Sequence, residues 1–287
     1  MKNWVMQVVV TPVLLSVGAV VVMAGIASAE IKLGTVPRLS ASELHRMYTP
    51  LAEYLAKETG EKVSIVVPKD FPAFKEAAKN GQMDIGFANP LLYVEIKDKV
   101  NIEPLALSSE VKSGTRLRGI IIVRKDSGIE RITDLKGKKF VFMDKDSPAG
   151  YLFQLLLLNK AGFDTKKDIT VLPFAKRHDK VVQSVFDRTA DAGGIREDEL
   201  EKVKDKVDIS QIRIVGYTDY FPNWPLFATP KLKAETATKI KAALLKLKPN
   251  DPNNEAILGP ARLTGFIPIA DKEYDDLRKA TKISGSM

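Results

Sequence analysis

Apolar strand-like runs and amphipathic helices alternate along the chain from Ile31 onward, and this alternation restricts the fold more than any other feature. Residues 31–36 and 63–67 have the composition of buried strands, and the segment between them carries apolar residues at helical spacing. Strands that alternate with helices favour a largely parallel sheet with the helices packed on its faces. The first part of the chain therefore predicts an α/β unit of the order βαβαβαβ.

The same pattern begins again near Thr115. The run GIIIV at residues 119–123 is uninterrupted and apolar, which is typical of a central strand buried on both faces. We therefore predict two lobes, each a mostly parallel sheet flanked by helices, formed by residues 30–117 with 222–287 and by residues 118–221. Beyond residue 222 the sequence predicts a proline-rich loop and two helices, at residues 234–246 and 271–282, without strands for a third domain.

The two predicted lobes share a short motif. The segment AAKNGQMDIGFANP in the first and SVFDRTADAGGIRED in the second both place a strand with Asp-x-Gly after a helix. In open parallel sheets the ligand crevice lies beyond the carboxyl ends of the strands. Two such sheets that face each other predict a ligand cleft between the lobes, which closes by a hinge motion.

The first 29 residues have the pattern of a secretory signal peptide. Lys2 supplies a positive start, an uncharged segment follows, and Ala27-Ser28-Ala29 forms a small-residue cleavage motif. The alternative is an uncleaved membrane anchor, but Thr11 and Pro12 interrupt the apolar run. We expect cleavage after Ala29 and a mature chain outside the cytoplasm.

Composition excludes several classes of protein. The chain contains no cysteine, which excludes a disulfide framework and a lipid-modified cysteine. The formal net charge is +8, but basic and acidic residues are interspersed, so a nucleic-acid partner is not predicted. This balance is compatible with an acidic small molecule or with an ordinary solvated surface.

No pattern in the chain predicts catalysis. The two histidines lie far apart, and no HExxH pair or GxSxG elbow is present. Carboxylate pairs such as Asp275 and Asp276 lie in charged helical segments, where solvated faces are the usual interpretation. The sequence therefore predicts a binding protein that has neither a metal nor another cofactor, and not an enzyme.

The segment DKDSPAG, residues 144–150, connects a predicted strand to an apolar helix. It would bring Ser147, Ala149, Gly150 and the first free backbone N–H groups of that helix to the cleft. A helix N-terminus carries about half a positive charge and binds anions. The alternative is that Ser147 or Asp146 only caps the helix, with a proline in its first turn.

Polar residues follow three other predicted strands. Arg38 and Ser40 follow the first strand, Asn89 and Tyr93 follow MDIGFA, and His178 opens the helix after ITVLPF. A lone histidine at a helix start is more often a capping or surface residue. Their shared position at the carboxyl ends of strands predicts that these side chains border one anion-binding cleft.

Several motifs resemble those of the phosphate/phosphite/phosphonate-binding class of ABC transporter substrate-binding proteins. They are GTVPR, GQMDIGFANPLLY, the DKDSPAG loop, RHDKVVQ, RTADAGG and YFPNWP, and the resemblance runs from about residue 31 to about residue 230. It implies the type II periplasmic-binding fold and a location in the periplasm. It also implies a receptor that closes on a small anionic solute, such as a phosphonate, phosphite or phosphate, and delivers it to an ABC permease. The alternative is a sensor accessory that presents its ligand to a membrane histidine kinase.

The same resemblance implies roles for particular residues. Proteins of this class hold the oxyanion with a Ser-Thr-Ser-Gly loop, a tyrosine, a histidine and nearby carboxylates. By matching motif, Ser147 and Gly150 correspond to the first and last residues of that loop, His178 to the histidine and Asp191 to the strand aspartate.

The chain departs from this pattern at several positions. Pro148 and Ala149 replace the loop Thr and second Ser, which removes two hydroxyl groups and one N–H donor. Ala88 and Leu117 also differ from the residues common in the class. Arg118 or Arg38 would compensate, because a guanidinium group matches oxyanion geometry. A set of aromatic residues either lines a site for a larger organic ligand or packs between the lobes: Tyr93, Tyr220, Phe221 and Trp224.

Overall fold

The computed structural model describes Met1 and residues 30–285. Apart from Met1, the predicted signal peptide lies outside the described residues. Among the described residues, none of the helices combines the length and the hydrophobicity that a transmembrane segment requires.

The strands and helices alternate as the sequence predicts over most of the chain. The strands are β1 (Ile31–Thr35), β2 (Val63–Val66), β3 (Ile85–Phe87), β4 (Glu103–Glu110), β5 (Arg116–Leu117), β6 (Gly119–Arg124), β7 (Lys139–Val141), β8 (Thr170–Val171), β9 (Ala192–Arg196), β10 (Ile212–Tyr217), β11 (Phe221–Pro222), β12 (Pro225–Ala228) and β13 (Leu263–Ile267). The α-helices are α1 (Ala41–Thr59), α2 (Phe71–Lys79), α3 (Pro90–Lys97), α4 (Phe153–Lys160), α5 (His178–Phe186), α6 (Ala234–Lys246), α7 (Glu255–Leu258) and α8 (Asp275–Gly285).

The strands form two main sheets. The first has the order β13-β4-β12-β3-β1-β2, and the second has the order β10-β6-β9-β7-β8. β1 pairs in parallel with β2 and β3, and β7 pairs in parallel with β8 and β9. The other pairs in the two sheets, those of β4 with β12 and β13, β3 with β12, and β6 with β9 and β10, are antiparallel. The α/β architecture is confirmed, but each sheet is mixed and not mostly parallel.

The strands of the C-terminal segment take part in three of these five antiparallel pairs. The sequence predicts a loop and two helices beyond residue 222, yet β12 and β13 lie there and join the first sheet. β12 enters between β3 and β4 and is antiparallel to both. Its only proline, Pro225, is its first residue, a position that tolerates a residue without an N–H donor.

A two-stranded ribbon connects the two sheets. β5 pairs with β11 in antiparallel fashion, with Leu117 opposite Phe221. The chain passes from the first sheet to the second through β5 and returns through β11. The predicted lobe boundaries fall in this ribbon, and movement of two lobes about it stays a prediction.

The core confirms the prediction made for the apolar run at residues 119–123. Ile120 and Ile122 of β6 pack in one buried cluster with α5, and Ile121 and Val123 pack in another with β7 and α4. The strand is therefore covered on both faces, as an uninterrupted apolar sequence requires.

The charged segment EDELEKVKDK, residues 197–206, favours an α-helix by composition, but the structure does not form one there. Residues 197–206 form 3₁₀ turns at Glu197–Glu199 and Glu201–Val203 instead of an α-helix. Arg196 and Asp198, two positions apart at the start of this segment, form an ion pair.

Candidate ligand-binding groove

Loops from both sheets border one groove with a volume of about 740 Å³. The groove lies where β1, β3 and the strands of the second sheet reach the loops that follow them. Six of the residues singled out from the sequence line it: Arg38, Ser40, Asn89, Ser147, Ala149 and His178. The structure therefore brings together residues that are far apart in the sequence.

The turn that begins at Ser147 forms one wall of the groove. Ser147 is the N-cap of a π-helical turn, Pro148–Leu152, which leads into α4. The backbone N–H of Gly150 donates to the Ser147 Oγ atom at 3.0 Å. Ser147 thus caps the helix, and its hydroxyl proton stays available to a ligand. The amide of Ala149 is among the first helical N–H groups, which have no acceptor inside a helix.

Gly150 belongs to the turn but does not line the groove. A Cβ atom at this position would lie 2.6 Å from the Cβ atom of Met143 and 3.1 Å from the Cε1 atom of His178. Only glycine therefore allows the turn to pack this closely against the histidine ring.

His178 is the first residue of α5, and its ring is partly buried beside the turn. The backbone N–H of Arg196 donates to the His178 Nδ1 atom at 3.4 Å. In the neutral ring the proton then resides on Nε2, which makes that atom a donor. Burial lowers the pKa of His178 to about 4, and the attraction of Glu199 only partly opposes this effect. His178 is therefore a neutral hydrogen-bond donor at neutral pH.

This pKa predicts a pH dependence of stability. His178 binds a proton below about pH 6.5 in the unfolded chain, but only below about pH 4 in the folded one. Its neutral form stabilises the fold fully above pH 6.5, and this contribution is lost as the pH falls toward 4. When the pH is lowered from 7.5 to 4.5, the unfolding free energy of the parent chain falls. We expect this fall to be about 2 kcal/mol smaller in the His178→Gln variant. Urea unfolding at both pH values measures this difference, and equal losses would contradict the prediction.

Three residues of the first sheet's loops face the same groove. Arg38 is exposed; its Nη2 atom donates to the Tyr48 hydroxyl at 3.3 Å, and its guanidinium carbon lies 5.5 Å from the centre of the Trp224 ring. Ser40 is the N-cap of α1 and forms a capping box with Glu43. Asn89 is the N-cap of α3, where its Oδ1 atom accepts from the N–H of Leu92 at 2.9 Å.

Polar bridges join the two sheets' loops at the groove. The Asn89 Nδ2 atom donates to the carbonyl oxygen of Asp146 at 3.2 Å, and the Lys75 Nζ atom lies 3.4 Å from the Asp146 carboxylate. Arg196 lines the groove, forms an ion pair with Glu110 and donates to the Ser113 Oγ atom at 2.7 Å. The two halves of the groove are thus in direct contact.

Sequence reasoning missed Arg196. It is the last residue of β9, at the carboxyl end of a strand, which is the same position that singled out the other candidates. Its partner Glu110 is the last residue of β4, 86 positions away in the chain. We call the expectation that polar residues at the carboxyl ends of strands border the cleft the strand-end rule. This rule would have found Arg196, but its ion pair with Glu110 could be seen only in the tertiary structure.

Tyr93 does not border the groove. Its side chain is fully buried, its hydroxyl donates to the Asp271 carboxylate at 2.6 Å, and its ring centre lies 4.8 Å from that of Tyr274. Tyr93 lies one helical turn after Asn89 in α3, whose residues there face the core. Burial and the bond to Asp271 raise the pKa of Tyr93 well above its ordinary value. We therefore leave Tyr93 out of the proposed site.

Arg118 and Asp191 also lie elsewhere. The Arg118 guanidinium donates to both carboxylate oxygens of Glu197, at 2.8 and 2.5 Å, and its carbon lies 4.2 Å from the centre of the Tyr217 ring. The Asp191 Oδ2 atom accepts from the N–H of Lys139 at 2.8 Å, immediately before β9 begins. Both side chains have structural partners, and of the two arginines considered from the sequence only Arg38 lines the groove.

The aromatic candidates divide in the same way. Trp224 lines the groove, whereas Phe221 of the connecting ribbon stacks on Phe153 with ring centres 4.1 Å apart. The Tyr220 ring stacks with the guanidinium of Arg118, whose carbon lies 4.6 Å from the ring centre. Of these aromatic rings, Trp224 alone contributes to the groove and the others pack around the connection.

A family model described as ABC transporter, phosphonate, periplasmic substrate-binding protein matches residues 33–274. The chain belongs to this family. Its members are substrate-binding components of transporters and not enzymes, so the interpretation drawn from the sequence motifs is confirmed.

Two relatives and one solved structure illustrate what the chain is similar to. The chain is 26% identical to the phosphate-import protein PhnD of Mycolicibacterium smegmatis, over 89% of this chain and 86% of that protein. It is 22% identical to the tetrathionate sensor histidine kinase TtrS of Salmonella typhimurium, over 69% of this chain but only 36% of the kinase. The structure of PhnD1 from Prochlorococcus marinus in complex with methylphosphonate superimposes with a TM-score of 0.74 and 18% identity, over 90% of this chain and 99% of that one. This likeness confirms the type II periplasmic-binding fold.

Proposed function

We propose that this protein is a periplasmic receptor that closes on a small anionic solute, such as a phosphonate, phosphite or phosphate, and delivers it to an ABC permease in the inner membrane. The observation that carries the proposal is the groove, in which Ser147, Ala149 and His178 of the second sheet's loops meet Arg38 and Asn89 of the first. The first helical amides, the His178 Nε2–H group and the Arg38 guanidinium are all hydrogen-bond donors. A groove with these donors favours an oxyanion.

The proposed movement follows from the two sheets and their connection. Residues 30–117 with 222–287 form one lobe and residues 118–221 form the other, with the β5–β11 ribbon as the hinge. Solute bound between the lobes stabilises the closed arrangement, which the permease recognises. Export after cleavage at Ala29 brings the receptor to the periplasm.

Delivery to a permease is favoured over presentation to a histidine kinase. The family model that matches residues 33–274 describes a transporter component. The kinase relative shares only 36% of its length with this chain. These two observations support transport as the role of the proposed receptor.

A thermal-shift screen of residues 30–287 tests the proposal. The screen contains phosphonates, phosphite, phosphate, sulfonates and carboxylates, with neutral sugars as controls. A solute present at 100 times its dissociation constant should stabilise the fold by about 2.7 kcal/mol. We expect such a shift from at least one oxyanion and none from the sugars, and a screen without any anion response would refute the proposal.

A further inference from the structure

The groove is larger than a bare oxyanion requires. Pockets of about 300 to 1,000 Å³ enclose whole organic ligands, and this groove has a volume of about 740 Å³. Its two sides already touch through the Asn89–Asp146 hydrogen bond and the Arg196–Glu110 ion pair. The groove therefore has this volume even though the two lobes are already in contact.

Most of the groove's positive charges are already neutralised. Six basic residues line it, and four of them lie within 4 Å of carboxylates: Lys176 with Asp144, Arg177 with Asp179, Arg196 with Glu110 and Lys202 with Glu199. The other two basic residues of the groove, Arg38 and Lys206, have no carboxylate within 4 Å among the residues that the structure describes.

Arg38 is the better placed of these two cations. Its guanidinium packs over the Trp224 ring and donates to the buried Tyr48 hydroxyl, which restrains the side chain while other N–H groups stay free. The Ser147 turn and His178 lie in loops of the second sheet, whereas Arg38 follows β1 of the first. Leu117 and Trp224 add apolar surface to the same groove. Donors for anions thus reside on both lobes, together with a surface for an organic body.

We propose that the solute is an organic molecule with two separate anionic groups, a phosphonate or similar oxyanion group at the Ser147 turn and a second group, such as a carboxylate, on Arg38. This inference rests on the proposed receptor function and narrows its solute class. Inorganic phosphate and phosphite lack the second anionic group. They would therefore use the donors of the Ser147 turn or those of Arg38, but not both sets together.

Calorimetric titration with three matched probes tests this inference. Phosphonoacetate carries both anionic groups, carbamoylmethylphosphonate has the same shape with a neutral amide, and methylphosphonate has the phosphonate group alone. We expect phosphonoacetate to bind about 10- to 100-fold more tightly than the amide, because a hydrogen bond to a charged partner contributes that much affinity. The Arg38→Met variant should reduce this ratio to about one. Arg46→Met, an exposed arginine outside the groove, should keep it.

The outcomes separate this inference from the proposed function. Equal affinity for phosphonoacetate and its amide, or a ratio that survives Arg38→Met, overturns the inference of a second anionic group and leaves the receptor function standing. Failure of all three probes and of every other anion in the screen overturns the receptor function and the inference with it.

Discussion

A chain that carries both Ser147→Ala and His178→Ala is expected to lose the thermal shift that an anionic solute gives to the parent protein. The two substitutions remove the hydroxyl donor at the helix start and the Nε2–H donor beside it. Each hydrogen bond to a charged group contributes about 1.5 to 3 kcal/mol, so the affinity should fall by roughly two to four orders of magnitude. Differential scanning fluorimetry and calorimetric titration measure the loss.

A matched pair of substitutions controls for unspecific effects. Ser42 and His45 are exposed residues of α1 outside the groove, and their replacement by alanine should leave the ligand response intact. The Ser147→Ala and His178→Ala double variant loses the N-cap of the turn that leads into α4. This loss should lower its unfolding free energy in the absence of ligand by about 1 kcal/mol. If this variant still responded to the solute, the helix start would not be the binding site.

Replacing Arg196 with alanine is expected to lower the free energy of unfolding by about 3 kcal/mol. Its side chain is 11% exposed and interacts with the carboxylates of Glu110 and Asp198, which are 19% and 10% exposed. Removal of the guanidinium leaves two carboxylates that are poorly hydrated and have lost this cation, and such a loss is costly. Denaturant titration at neutral pH measures the change.

An arginine that is more accessible to solvent supplies the comparison for Arg196. Arg213 forms an ion pair with Glu130, and the two side chains are 35% and 75% exposed. Arg213→Ala should cost less than about 1 kcal/mol, because exposed ion pairs contribute little. The two variants would behave alike if the contact between Arg196 and Glu110 made no contribution to stability. Small-angle scattering of Arg196→Ala should also show a more extended particle, since an ion pair between the two sheets is lost.

Local features of the structure were largely predictable from the sequence. The apolar run of β6 indicated a strand covered on both faces. The polar residues that follow β1, β3 and β7 indicated that these loops lie at the same edge of the fold. Ser40 and Asn89 occupy helix N-caps where Ser and Asn are favoured. These features depend on residues close together in the chain, so periodicity and capping chemistry reveal them.

The site could be predicted only in part, for a geometric reason. The strand-end rule correctly grouped Ser147, His178, Arg38 and Asn89 at one groove, because strand ends in a sheet lie near one another. It placed Tyr93 there too, but one further turn of α3 directs that side chain into the core. The rule gives the position of a backbone segment and does not give the direction of each side chain.

The amino-acid sequence by itself determined the order of strands and helices, the residues available as anion donors and the family. Only the tertiary structure decided that β12 and β13 complete the first sheet in antiparallel fashion, that Arg118 forms an ion pair with Glu197, and that Arg196 of the second sheet forms one with Glu110 of the first. The reason is distance along the chain. Glu197 lies 79 residues from Arg118, and Glu110 lies 86 residues from Arg196, so no local pattern encodes either contact.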